Sequence, residues 1–256
     1  LTTGDGATNR EEGIRPKVVV LNPYLPTYRV PFFLHLQEVL ALKGLELELV
    51  TGKPTDEFRQ RDDFASLPFH HVQRGMSINF FPLRFRYLFA KSNLRQADVV
   101  VYEFSITNMN TWKALLLPRK HKAILWGHGP GYLSKENAIR LMLQKKMARK
   151  ADLILTYTEP GRARVISLGI ADHRVIAVNN TIQTKEISEA IESLSLSEVE
   201  EFRQSLSLGA EDKVLAFIGA LDKTKRIDFL EKVLDDIWAL DKTFKLLVGG
   251  AGSQRY

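Results

Sequence analysis

Lys17-Val-Val-Val-Leu21-Asn-Pro-Tyr-Leu-Pro26 decides the reading of this chain. So short and continuous an apolar run, rich in β-branched residues, fits a strand covered on both faces, as parallel strands in α/β proteins are. Asn22 and Pro23 stop it. From about Arg29 onward Phe32, Phe33, Leu36, Val39 and Leu40 fall at helical spacing, and Pro31 stands where a first turn tolerates it. Gly44 closes that helix. Leu45-Glu-Leu-Glu-Leu-Val50 then alternates with period two, which predicts a strand with one polar face. The chain therefore opens strand, helix, strand.

The same order recurs outward from this start. Ala97-Asp-Val-Val-Val-Tyr102, Lys122-Ala-Ile-Leu-Trp126, Asp152-Leu-Ile-Leu-Thr156 and Arg174-Val-Ile-Ala-Val178 are short buried-type strands separated by helical stretches. Alternation of this kind predicts an α/β fold: a doubly wound, mostly parallel, Rossmann-like sheet with helices on both faces. Between Thr184 and Asp212 the composition shifts to Ser and Glu, and Ser197 to Glu200 matches a capping box. Lys213-Val-Leu-Ala-Phe-Ile-Gly219, a helix carrying Ile227, Leu230, Leu234 and Ile237, and Lys245-Leu-Leu-Val-Gly249 then make a second βαβ unit. The expected organisation is a polar tail over 1–16, a first domain over 17–184, a connecting segment over 185–212 and an incomplete second domain over 213–256.

Composition narrows the function. The absence of cysteine excludes disulfide scaffolds, thiolate metal sites and cysteine nucleophiles, and suits a reducing compartment. The cytoplasm is the expected location, because no apolar run approaches the ~20 residues of a membrane span and the first residues lack a basic-then-apolar signal. A net charge of +6 favours anionic partners, which leaves phosphates, lipid headgroups and nucleic acid open.

Three stretches could carry chemistry. In Ile124-Leu-Trp-Gly-His128-Gly-Pro-Gly131 a buried strand runs into a glycine-rich loop, at the carboxyl end where such sheets bind ligands; the glycines would let a substrate approach the backbone. His128 can hold a sugar hydroxyl or donate to a developing charge there, or be an ordinary loop histidine bonded to a carbonyl. The adjacent His70 and His71 point to opposite faces of an extended chain and make no metal pair; His35 reads as helix surface. Lys223-Thr-Lys-Arg226 precedes the helix of the second unit, where an anion gains from the helix dipole, so it reads either as a phosphate clamp or as a solvated basic loop. Gly249-Gly-Ala-Gly252 adds a flexible backbone edge but lacks dinucleotide-fingerprint spacing. From Phe80 to Arg95 aromatics alternate with Arg84, Arg86, Lys91 and Arg95, a pattern suited to an anionic membrane surface, to single-stranded nucleic acid, or to core aromatics with solvated arginines. No Asp-x-Asp occurs for a paired-carboxylate metal site.

Taken in order, Tyr28-Arg29-Val-Pro31, Trp126-Gly-His128-Gly, Ala151-Asp-Leu-Ile-Leu-Thr156, Val178-Asn-Asn-Thr-Ile182, Phe217-Ile-Gly-Ala-Leu221, Lys225-Arg-Ile-Asp228 and Leu247-Val-Gly-Gly-Ala-Gly252 resemble the family 4 glycosyltransferases of GT-B fold, from about Lys17 to the end. The resemblance implies two facing Rossmann-like domains and transfer of a sugar from a nucleotide-sugar donor, with retention of configuration and without metal or other cofactor. It implies a catalytic role for His128, donor binding by Lys225, Arg226, Gly219, Gly249 and Gly250, and an acceptor-side cleft with Tyr28, Arg29, Gly127, Gly129 and Glu103. The expected acceptor is a glycan or lipid-linked saccharide, or a growing polysaccharide, met at the inner face of the membrane. Two departures stand out. The family shows Gly-Arg where this chain has Gly219-Ala220, and its second domain continues to an acidic pair beyond Tyr256. As given, the chain is expected to transfer no sugar on its own and to expose strand edges that favour self-association. The competing reading is a catalytically silent glycosyltransferase-like module that binds a glycan, lipid or protein. Nucleic acid is not an expected partner, since no recognition motif supports it.

Overall fold

The computed structural model describes residues 15–54, 63–80, 83–130, 137–222 and 225–252. The described residues fall into two compact units, the first made of those up to Lys53 and Ala65–Ile182, the second of those within 54–64 and from Gln183 onward.

The first unit is built on β1 (Lys17–Asn22), α1 (Val30–Leu42), β2 (Glu46–Thr51), β3 (His70–Val72), β4 (Gly75–Phe80), β5 (Leu83–Leu88), α2 (Lys91–Arg95), β6 (Val99–Glu103), α3 (Met109–Leu116), β7 (Lys122–Gly127), α4 (Ala138–Lys150), β8 (Leu153–Thr156), α5 (Glu159–Ser167) and β9 (Val175–Ala177). Seven strands form one sheet in the order β3-β2-β1-β6-β7-β8-β9, and every neighbouring pair is parallel. The order reverses between β1 and β6, which is the switch point of a doubly wound, Rossmann-like sheet. Alternation along the strands feeds two cores. Val20, Leu49 and Val101 face Phe33 of α1, while Val19, Val100 and Leu125 face Leu115 of α3 and Met147 of α4.

The helix boundaries follow from local chemistry. Pro31 lies in the first turn of α1, preceded by a single 3-10 turn at Thr27–Arg29, and Gly44 takes φ +71° just past its end, a conformation that costs glycine nothing. Asn108, Asn137 and Thr158 cap α3, α4 and α5 with their side chains.

Three features differ from or add to the sequence reading. The polar face expected of the second strand is solvated only at Glu46: Glu48 is buried, its carboxylate taken by Lys17 Nζ at 3.3 Å and by Asn93. The β3 strand beside it gives no alternating signal in three residues and escaped the pattern. The stretch containing Phe80 and Arg86 forms a separate antiparallel hairpin, β4 with β5. Ile78 and Phe80 are exposed there, whereas Leu88 packs against the core; Phe81 and Pro82 lie outside the described residues.

The second unit contains α6 (Lys185–Ser193), α7 (Leu196–Ser205), β10 (Lys213–Ile218), α8 (Ile227–Trp238) and β11 (Phe244–Gly249), with β10 and β11 paired in parallel. Its capping box is set by Ser195 and Glu198 rather than Ser197 and Glu200: Ser195 N–H donates to Glu198 Oε2 at 2.8 Å, and Glu198 N–H to Ser195 Oγ at 3.2 Å. Both pairs satisfy the motif, and the earlier one lets the helix begin two residues sooner.

Candidate functional site

The carboxyl ends of β1, β7 and β8 gather one aromatic and cationic cluster in the first unit. Arg29, in the turn after β1, donates from Nη2 to the phenol oxygen of Tyr157 at 2.9 Å. Its guanidinium carbon lies 5.1 Å from the ring centre of Trp126, 5.6 Å from that of Tyr157 and 5.8 Å from that of Tyr28, within cation–π range of each. The His128 ring meets Tyr157 edge-on, centroid to centroid 4.5 Å, and Trp126 stands 5.7 Å from Tyr157.

Electrostatics assigns the two titratable members different states. Burial pushes the His128 imidazole below its ordinary value, and the charge of Arg29 adds to this, so His128 is neutral near pH 7. Burial also works against the charge of Arg29, but the oxygens of Tyr157 and Tyr28 outweigh it and keep the guanidinium charged. A fixed cation beside a neutral imidazole can meet an anionic or hydroxyl-rich ligand without a change of protonation.

A side chain added at either glycine flanking His128 would meet protein. A Cβ on Gly127 would stand 3.1 Å from Cβ of Phe104, and one on Gly129 would stand 3.3 Å from the Gly161 carbonyl oxygen and from Val165 Cγ2. Gly129 also has φ +79°. Gly127 is backed by Phe104, and the turn at Gly129 is pressed against α5. Gly161 completes this contact: its own Cβ would lie 2.7 Å from the His128 carbonyl oxygen. Gly131, the last glycine of that loop, lies outside the described residues.

Glu103, at the end of β6, stands apart from this cluster in its contacts. Arg86 Nη2 donates to Oε1 at 3.0 Å and to Oε2 at 3.1 Å, and Asn108 Nδ2 donates to Oε2 at 3.1 Å. Its carboxylate thus ties the hairpin to the loop after β6. His70 bonds Thr51 Oγ1 through Nε2 at 2.7 Å, while His71 faces Glu48 at 3.8 Å, so the two do occupy opposite faces. Among the described residues no group of acidic and histidine side chains is arranged to hold a metal.

In the second unit Gly219 follows β10 and Gly249 ends β11, with Gly219 N–H donating to the Gly249 carbonyl at 2.9 Å. Gly250 has φ +151°, and a Cβ there would collide with the Gly219 carbonyl oxygen, so the glycine run lets the two chains continue side by side past the strands. Lys225 is exposed. Arg226 adopts φ 54° at the N-cap of α8 and pairs its Nε with Asp228 Oδ1 at 3.1 Å, so a carboxylate of the helix itself shares that charge. Lys223 and Thr224 lie outside the described residues.

Three residues at the strand ends went unassigned in the sequence. Tyr157 follows β8 as His128 follows β7, so the same strand-end rule would have found it. Asn22 ends β1, and its Nδ2 is buried with no hydrogen-bond partner among the described residues; Trp126 Nε1 is in the same condition. Orphaned donors of this kind cost about 1–3 kcal/mol each unless a ligand or water takes them.

Among the described residues no helix is long and apolar enough to cross a membrane. The profile of Glycosyltransferase Family 4 matches residues 9–186. No curated protein matches the chain. Solved structures similar in fold include Anabaena Alr3699/HepE in complex with UDP and glucose, with TM-score 0.52 and 10% identity over 91% of this chain and 69% of that one. A co-structure of S. aureus MnaA with UDP gives TM-score 0.51 and 13% identity, over 91% of this chain and 61% of that one. The UDP-GlcNAc 2-epimerase of Methanocaldococcus jannaschii gives 0.50 and 12%, over 91% and 73%. At such identities these likenesses show the fold.

Proposed function

The chain belongs to glycosyltransferase family 4, and from that premise we propose that it serves the transfer of a sugar from a nucleotide-sugar donor to a lipid-linked or polysaccharide acceptor, with retention of anomeric configuration. The observation that carries this reading is the cluster of Arg29, Trp126, His128 and Tyr157 at the strand carboxyl ends, inside the matched segment. Aromatic faces beside a neutral imidazole suit a sugar, whose ring offers C–H surfaces and hydroxyls together. UDP, UDP-glucose and UDP-GlcNAc bound in similar structures favour a uridine diphosphate donor.

Each residue then has a task. His128 hydrogen-bonds the transferring sugar while neutral. Tyr28 and Arg29 line the acceptor side, with Tyr157 holding the guanidinium in place. As the bond from the anomeric carbon to the donor's β-phosphate oxygen breaks, the acceptor hydroxyl oxygen bonds to that carbon and its proton passes to the departing diphosphate, whose negative charge Lys225 offsets. Arg226, which already has Asp228, contributes less. Gly219, Gly249 and Gly250 present backbone to the donor at the strand ends. No metal or other cofactor takes part, and the protein works in the cytoplasm, against the inner membrane face when the acceptor is lipid-linked.

The test is a transfer assay across UDP-sugars in a protein that carries these residues together with a complete donor-binding domain, as wild type and as His128→Ala. Transfer from at least one donor with retained configuration, lost in the variant, supports the reading. Conversion of the donor without transfer to any acceptor would replace it with an epimerase-type activity, and an unchanged rate would remove His128 from the site.

A further inference from the structure

A cavity of about 510 Å³ opens on the sheet face that α3 covers. It is separate from the cluster around His128. Its walls include Lys91, Leu94 and Arg95 of α2, which precedes β6, and Leu117, Arg119 and His121 of the turn before β7. Those segments enter the strands at their amino ends, whereas Arg29, His128 and Tyr157 follow the carboxyl ends.

The interior of the cavity is apolar and its rim is cationic. Leu88, Ala90, Leu94, Ala114 and the buried Tyr102 ring supply the apolar surface. Lys91, Arg95, Lys113, Arg119 and Lys120 supply the charge, and no acidic residue is among the described residues lining it. Two of these cations are engaged: Arg119 Nη2 meets Asp152 at 2.8 Å, and Lys113 Nζ donates to the Tyr87 phenol at 2.9 Å. Lys91, Arg95 and Lys120 are exposed and form no ion pair among the described residues. Arg119 Nε is buried with no hydrogen-bond partner there. Beside it the Tyr102 hydroxyl and His121 Nε2 pair at 2.9 Å, and burial raises the phenol's pKa, so Tyr102 remains a neutral O–H.

We infer that this cavity binds an amphipathic phosphate, its apolar body inside and its phosphate held at the mouth by Lys91, Arg95 and Lys120. The volume suits an organic ligand of ordinary size. Inorganic phosphate alone would leave the apolar interior unfilled, and a neutral hydrocarbon would leave the cations uncompensated. A phosphate with an apolar tail satisfies both, gaining charge-assisted hydrogen bonds outside and area removed from water inside. Such a ligand exists as a free amphiphile or as a membrane lipid headgroup with its chain. The inference does not depend on the proposed transfer reaction.

Calorimetric titration of the whole chain with octyl phosphate, below its micelle concentration, tests it. Saturable binding of one molecule per chain is expected, with inorganic phosphate and octanol each weaker by about tenfold or more. Lys91→Glu with Arg95→Glu and Lys120→Glu changes only exposed side chains and should weaken octyl phosphate by a similar factor without lowering the thermal midpoint. Ala114→Leu narrows the interior and should weaken octyl phosphate but leave any binding of inorganic phosphate unchanged. Competition by phosphatidic acid vesicles, against none by phosphatidylcholine vesicles, assigns the ligand to the membrane; no competition by either assigns it to a free amphiphile, and both agree with the inference. Absence of saturable binding, equal affinity in the triple glutamate variant, or binding of octanol as tight as that of octyl phosphate would overturn it.

Discussion

Gly161→Ala tests how the His128 loop is held. The added Cβ would stand 2.7 Å from the His128 carbonyl oxygen, about 0.7 Å inside ordinary contact. Both atoms are fixed to backbone, so no rotamer change relieves the clash. The loop is anchored nearby by Tyr157 N–H donating to the Gly127 carbonyl at 3.2 Å, and the helix by Gly161 N–H donating to Thr158 Oγ1 at 3.2 Å. Two terms oppose each other: alanine gains about 1 kcal/mol over glycine in a helix, less in a first turn, and overpacking costs about 1–3 kcal/mol. The expected result is a net loss of about 1 kcal/mol, together with a displaced His128. A misplacement approaching 1 Å can cost about a hundredfold in rate, so transfer should fall far more than stability. The assay combines the thermal midpoint and the imidazole resonances of His128 with the initial rate of transfer, the rate being read in a protein that carries a complete donor-binding domain. Gly169→Ala is the control: at φ +83° with open space around it, it carries backbone strain of about 1–2 kcal/mol and should leave the His128 signals alone. Higher stability in Gly161→Ala, by the helix-propensity amount and with unchanged His128 resonances, would refute the close approach.

In a protein with a complete donor-binding domain, His128→Ala should lower the transfer rate by about tenfold or more while shifting the thermal midpoint little, since the ring sits on Tyr157 at a strand end rather than in the core. Burial is the first cause holding His70, His121 and His128 below the ordinary imidazole value of 6.5, aided by His71, Arg119 and Arg29 respectively, so the unfolded chain binds more protons as pH falls. Stability is therefore complete above about pH 6.5 and declines as pH drops through the lowered folded values; midpoints measured from pH 8 to 5 should flatten when the three are replaced by asparagine. Burial opposes the charge of Asp152, but the Ala123 N–H, Arg119 and Lys122 win and bring it down to about 2. Its contribution is present above pH 3.8 and lost as pH falls through 2, so Asp152→Asn should cost on the order of 1–2 kcal/mol in denaturant titrations at pH 7 and little at pH 2. Glu103→Gln should speed amide exchange across β4 and β5, because it weakens the bond to Arg86 that ties the hairpin down; exchange no faster than in wild type would free Glu103 for a ligand role.

Strand identity was legible wherever the apolar run was continuous, as in Val18 to Leu21 or Val99 to Tyr102, because strands covered on both faces leave no other pattern. Glu48 misled for an equally physical reason: period-two alternation marks which side chains share a face but cannot show that a lysine from one strand and an asparagine from a helix will bury one of the polar ones. The same limit applies to the capping box, where two overlapping serine and glutamate pairs satisfied the motif and only backbone geometry selected Ser195.

The candidate site shows where sequence reading stops. His128 was visible because strand, glycine and histidine are adjacent in the chain, whereas the packing of the flanking glycines against Phe104, Gly161 and Val165 was not, because those partners come from other segments. Arg29 and Tyr157 are 128 residues apart, and no local pattern joins them. The sheet order does so, since β1, β6, β7 and β8 are consecutive neighbours and the turns after β1 and β8 both end over Trp126 at the close of β7. A site of this class is therefore a property of strand order first and of motif second. Permuting which residue follows each strand end, while keeping the order, would alter the chemistry, whereas slipping a single strand by one residue would turn its core-facing side chains outward and dismantle the cluster altogether.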